Sequence, residues 1–176
     1  MTTWDTIELP GFEAALSAVA PARVQALASQ LRTLAAGLTA PEPAAGRSGP
    51  EPAASGESGE FAAACATCRG HCCQRGGDIA YLNPKTLAAT WNGLSHLSRD
   101  ELVRAYIDAV PSLAFEGSCI FHTAQGCNLP RSMRSHICLN YLCPPLKAAL
   151  FRRQGQAAQI DDFSLKTREP ISIPLG

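Results

Sequence analysis

Apolar residues recur at spacings of three and four through residues 12–38, where Val24, Leu27, Leu31, Leu34 and Leu38 fall on one stripe. That is the periodicity of an amphipathic helix, and the stripe needs a surface to cover it, in the same domain or in a second copy. Pro21 interrupts the pattern and suits the first turn of a second helix, where a missing N–H costs nothing. From Thr39 to Glu60 the pattern vanishes. The segment is built mainly from Ala, Pro, Gly, Ser and Glu, with no aromatic or large aliphatic residue. It cannot bury enough to offset its ordering entropy, so it reads as a disordered linker spanning roughly 26 Å as a coil. Residues 1–38 are thus expected as a helical appendage on a tether.

Periodicity returns in residues 61–160. Glu60–Cys65 favours helix, and Pro84–Trp91 reads as a short helix. Ser98-Arg-Asp-Glu101 is a capping box opening a helix through Val110, with Leu102, Tyr106 and Val110 on one face and Pro111 ending it. Gly117–Leu129 resembles a small hairpin turning at Gln125-Gly126. Arg131–Leu142 is expected as helix because Met133, Ile137 and Tyr141 step by four. Pro144-Pro145 disfavours helical geometry at Cys143, after which Leu146–Arg153 can continue as another helix. The tail, residues 161–176, has room for one short strand. The fold class expected is a small, irregular, α-rich α(+β) domain organised around cysteine-ligated metal, with the N-terminal helical appendage.

The metal enters because of the cysteines. All eight lie in two groups, Cys65-x2-Cys68-x3-Cys72-Cys73 and Cys119-x7-Cys127-x10-Cys138-x4-Cys143. Thiolates are soft ligands for zinc and iron, and short gaps let one turn present several sulfurs to one ion. A Cys-x2-Cys turn does this directly. Cys72 and Cys73 do not, since neighbouring side chains diverge; they reach one ion through an irregular turn or serve two centres. Four plus four sulfurs suit two tetrathiolate sites, or one cluster with leftover structural thiols. The plainer readings are buried thiols and disulfides. His71, His122 and His136 lie beside cysteines and are alternative ligands, against the ordinary reading as surface or supporting groups. Arg131 and Arg134 flank the second group and either balance thiolate charge or line a solvated helix face.

Composition sharpens this. The apolar fraction of 46% leans on alanine and aromatics are only 6%, so the core is modest. A small domain is stable by about 5–15 kcal/mol, while a structural zinc brings about 10–16 kcal/mol of apparent binding free energy. Lys plus Arg and Asp plus Glu balance at 15 each, and no basic stripe or aromatic platform is visible, which argues against nucleic acid. The N-terminus lacks the basic and apolar regions of a secretory signal, and no stretch approaches the ~18 apolar residues of a membrane span. The expected compartment is the reducing cytosol, where clustered cysteines read as metal ligands.

The run Cys65-Ala-Thr-Cys68-Arg-Gly-His-Cys72-Cys73, then Gly117-Ser-Cys119-Ile-Phe-His, then Gly126-Cys127-Asn-Leu-Pro-Arg131-Ser-Met-Arg134-Ser-His-Ile-Cys138-Leu-Asn-Tyr-Leu-Cys143, resembles the zinc- or iron-chelating domain family of YkgJ-like, CxxCxxCC-type proteins. The resemblance covers about residues 61–150. It implies that Cys65, Cys68, Cys72, Cys73, Cys119, Cys127, Cys138 and Cys143 are all metal ligands, for zinc or for iron, a [4Fe–4S] cluster being one form of the latter. Arg134-Ser135 stands where the family pattern has Arg-Pro. Domains of this type also occur in flagellin lysine methylases, but this chain has no evident cofactor or substrate pocket for methyl transfer. The expected function is therefore metal binding. An iron–sulfur enzyme (methyl transfer or redox) and a thiol/disulfide protein are the alternatives.

Overall fold

A computed structural model describes residues 6–10, 14–39, 68, 70–141, 143–153 and 170–174. Among them lie five helices: α1 (Pro21–Ala36), α2 (Pro84–Gly93), α3 (Arg99–Asp108), α4 (His136–Asn140) and α5 (Pro144–Arg153). Six short strands form three antiparallel pairs. They are β1 (Thr6–Pro10) with β6 (Pro170–Pro174), β2 (Leu16–Ala18) with β3 (Leu113–Phe115), and β4 (His122–Thr123) with β5 (Gly126–Cys127). The fold is mostly helical with small two-stranded sheets, the α(+β) class expected. The chain divides into two compact units, one drawn from Met1–Glu13, Ala53–Cys72 and Tyr141–Gly176, the other from Ala14–Pro52 and Cys73–Asn140.

The second unit holds the larger core. Leu27 and Leu31 of α1, Leu87 and Trp91 of α2, Leu102 and Tyr106 of α3, and Ile120 and Phe121 are buried in one cluster. Each large apolar side chain removed from water contributes about 1.5–3 kcal/mol. The helix starts are chemically specified. Asn83 Oδ1 accepts from Thr86 N at 2.9 Å, and Pro84 occupies the first turn of α2. Ser98 and Glu101 form the reciprocal capping box of α3. Trp91 Nε1 donates to Leu97 O, and the Tyr106 hydroxyl donates to Met133 O at 2.9 Å while meeting Thr90 Oγ1 at 3.0 Å. These bonds satisfy the polar atoms that two large aromatic rings carry inside.

Several expectations need correction. Helix was expected through residues 12–38, with Pro21 opening a second helix; a helix does begin at Pro21, but Leu16–Ala18 before it is a strand. The reason is the partner: Leu16–Ala18 pairs with Leu113–Phe115, and Val19 N–H donates to Ser112 O. Nor is α1 an appendage, because Leu27 and Leu31 belong to the same core as α2 and α3. Its stripe is otherwise as expected, with Val24, Leu34 and Leu38 all packed into or against that core.

The single helix expected over Arg131–Leu142 is a 3-10 turn (Arg131–Met133), a break, and α4. Arg134 is extended, with ψ 147°, and its guanidinium donates to Leu129 O and Cys127 O. Met133 is buried, but Ile137 and Tyr141 are 46% and 44% exposed, so the fourfold stripe is not a packing face. Helix α5 begins at Pro144, two residues earlier than expected, and α3 ends at Asp108, two residues short of Val110. The linker segment 40–60, the lead-in 61–65 and most of the tail 161–176 lie outside the described residues. In the first unit, β6 falls in the tail, as a short strand there was expected to, and β1 was not anticipated. Leu146, Ala148 and Ala149 of α5 are buried.

Candidate metal centre

Seven of the eight cysteines are described, as thiols; Cys65 lies outside the described residues. In the first unit, Cys68 is buried and Cys72 is exposed at the start of a 3-10 helix, His71–Gly76. Burial pushes the Cys68 thiol pKa up. Backbone N–H groups of His71 and Gly70 on the sulfur pull the other way, and Cys72 adds repulsion between thiolates. Cys143, just before α5, is likewise raised by burial, relieved by the Leu146 N–H, and raised again by Cys68 and Cys72. These three thiols are therefore electrostatic neighbours, although Cys143 is 71 residues beyond Cys72 in the chain. His71 adds a second observation: its Nδ1 is buried without a hydrogen-bond partner.

In the second unit the backbone does the gathering. Cys119 N–H donates to Cys73 O at 3.0 Å, and Ile120 N–H donates to Gly77 O at 3.0 Å, so segment 73–77 is laced to segment 119–120. Cys119 is buried in the core cluster, and Cys73 and Cys127 pack against that cluster. The hairpin sets His122 opposite Cys127 and Thr123 opposite Gly126. Gly126, at φ 101°, supplies a turn conformation that a side chain would resist. The Ser135 hydroxyl caps α4 by accepting from Cys138 N at 3.1 Å, and lies 3.2 Å from Cys138 Sγ. Cys138 Sγ lies 4.0 Å from Ala80 O. Ala80 and Tyr81 both hold left-handed backbone, φ 49° and 57°, at a cost of about 1–3 kcal/mol each. Burial of Ala80 and Leu82, with Ala80 N–H on Gly76 O, holds that turn.

Cys119 is the most perturbed thiol. Burial raises it, the Phe121 N–H on its sulfur lowers it, and Cys127 and Cys138 raise it further, to about 12. Arg23 opposes this, but its guanidinium already pairs with Asp78 and donates to Ser118 O at 2.7 Å. Gly76 makes room for the sulfur: a Cβ there would stand 3.0 Å from Cys119 Cβ and 3.3 Å from its Sγ. A cavity of about 420 Å³, whose lining includes Arg23, Asp78 and Glu116, opens on the same unit.

Soft donors, mutual proximity and amides aimed at sulfur suit a thiolate-bound cation, because N–H···S bonds and a metal both stabilise charge on sulfur. Among the described residues, no three Cys, His, Asp or Glu side chains are already grouped as they would be around an ion. Of the alternative ligands, His122 is a core residue, with Nδ1 2.8 Å from Ser118 Oγ and its ring 4.8 Å from that of Phe115. His136 is exposed. Arg134 is committed to carbonyls, one of them Cys127 O, and so braces the hairpin. Sequence reasoning missed Gly76 and the amides of Gly70, His71, Phe121 and Leu146. It also missed Ser135, although Ser-x-x-Cys before a short helix is a capping pattern.

Comparison with protein-family models, curated proteins and solved structures finds no match to this chain.

Proposed function

We propose that this protein binds zinc or iron through its clustered cysteines, Cys65, Cys68, Cys72, Cys73, Cys119, Cys127, Cys138 and Cys143. The observation that carries the reading is that the fold gathers thiols distant in sequence: Cys119 N–H donates to Cys73 O, and Cys73 and Cys127 pack against the cluster that buries Cys119. Like-charged sulfurs brought together and partly buried are costly as thiolates unless a cation joins them. Backbone amides on Cys68, Cys119 and Cys143 lower that cost at the sulfur itself. The resemblance to the chelating family points the same way.

When bound, the metal would supply cross-links between segments distant in the chain, and the cysteine sulfurs would hold it. Alkylation tests this. In anaerobically prepared protein the cysteines should resist iodoacetamide until a chelator is added, and then react. Equal labelling with and without chelator would remove the reading.

A further inference from the structure

We propose that the cavity on the second unit binds a small organic cation, a molecule of a few carbons carrying one ammonium group. The site uses none of the cysteines, so it goes beyond the metal-binding reading and is independent of it.

The cavity, of about 420 Å³, lies where three segments meet: the end of β2 with the start of α1, the turn at Gly77-Asp78, and residues 116–118 after β3. That volume is in the range of small-molecule sites, which combine apolar walls with a few converging polar groups. Arg23 organises it. Its Nε donates to Asp78 Oδ1 and its Nη2 to Ser118 O, so one guanidinium ties the three segments and has its charge answered by Asp78. Two carboxylate acceptors are left over. Asp78 makes that pair through Oδ1, its Oδ2 has no bond among the described residues, and its side chain is 40% exposed. Glu116 is fixed by its backbone, whose N–H donates to Ala15 O, but among the described residues no cation pairs with its carboxylate. The walls thus carry one positive and two negative side chains, and the unmatched charge favours a cation. A third acceptor comes from the strand. Glu116 N–H on Ala15 O and Val19 N–H on Ser112 O set a register in which Ala18, another wall residue, turns its N–H and C=O away from β3. An ammonium has three N–H groups to give and accepts none, which matches two carboxylates and a carbonyl. The rest of the wall suits carbon: Ala18 and Ala20 are small and apolar, and a Cβ on Gly77 or Gly117 would meet nothing within 4 Å. A divalent metal fits less well, because it asks for six or more oxygens and the Arg23 guanidinium already holds Asp78 Oδ1.

Isotope-labelled full-length protein, as purified, is titrated separately with n-butylammonium, n-butanol, butyrate and calcium while backbone amide shifts are followed. Butylammonium should move the Gly77, Asp78 and Gly117 amides along saturable curves, with a midpoint on the order of millimolar for so small a probe at a partly exposed charge pair. Glu116→Gln keeps the shape, removes the unmatched charge and should weaken binding about three- to fivefold. Ala18→Leu, at an exposed wall position, fills the cavity without altering charge and should abolish saturation. Asp100→Asn, on α3 and outside the walls, should leave the curve unchanged. Saturation by butanol, butyrate or calcium in place of butylammonium, an unchanged curve in Glu116→Gln, or no saturable shift with butylammonium overturns the proposal. Metal content read on the same samples separates the two readings. Protein that retains zinc or iron and ignores butylammonium loses the cavity proposal alone, and metal-free protein that binds butylammonium loses only the metal reading.

Discussion

Gly76→Ala sets the close approach at Cys119 against the ordinary benefit of replacing glycine. Gly76 does not have left-handed backbone, so alanine is conformationally permitted and should bring about 0.4–1 kcal/mol through the unfolded chain. Against this, the added methyl would lie 3.0 Å from Cys119 Cβ, 3.3 Å from its Sγ and 3.6 Å from Tyr81 Cε2. The sulfur can rotate away; the Cβ cannot, because Cys119 N–H is fixed on Cys73 O. Overpacking of this kind costs about 1–3 kcal/mol. The steric term wins, leaving a net destabilisation of about 1–2 kcal/mol, or a fall in Tm of about 2–8 °C for a chain of this size. Gly93→Ala is the internal control, since a Cβ at the end of α2 meets nothing within 4 Å and should stabilise. Urea and thermal unfolding of both variants, as purified, measure the difference. A Gly76→Ala protein as stable as Gly93→Ala would refute the crowding around Cys119 and the lacing of 73–77 to 119–120.

Other consequences are equally direct. Tyr106→Phe removes a fully buried hydroxyl that serves Met133 O and Thr90 Oγ1, and should cost about 1–3 kcal/mol in urea unfolding with little change in the m-value. Ser135→Ala removes the α4 cap beside Cys138, at about 0.5–2 kcal/mol, and should speed alkylation of Cys138 in metal-loaded protein more than that of Cys68. In metal-free, reduced protein the raised thiols of Cys68, Cys119 and Cys143 bind protons more tightly folded than unfolded. Their stabilisation is therefore complete below the ordinary thiol pKa of about 8.5 and lost as pH climbs toward the Cys119 value of about 12. Urea midpoints should fall steadily above pH 9, and a flat profile to pH 11 would contradict the burial assigned to these sulfurs.

Local chemistry was legible wherever a few neighbouring residues decide the outcome. The Ser98–Glu101 box, the helix start at Pro84 and the Gln125-Gly126 turn act over four residues or fewer, and each lies where expected. The stripe of α1 was also plain, but its partner was not, because α2 and α3 lie some fifty residues or more away and periodicity carries no address. The same limit produced the errors. Leu16–Ala18 is a strand only because residues 113–115 pair with it, and Arg131–Leu142 breaks because Arg134 finds carbonyls on the hairpin. At the candidate site the residue types were readable, and so was the difficulty with Cys72 and Cys73. What spacing concealed is which segments meet, since backbone bonds from Cys73 to Cys119 and from Gly77 to Ile120 bridge more than forty residues.

The measurement that bears most directly on the whole account is elemental analysis, with a visible spectrum, of untagged protein purified without oxygen or chelator. The account predicts zinc or iron retained through gel filtration in proportion to protein, with absorbance in the visible only if the metal is iron. Protein carrying neither metal, and unable to take up zinc or ferrous iron when reduced, would contradict it.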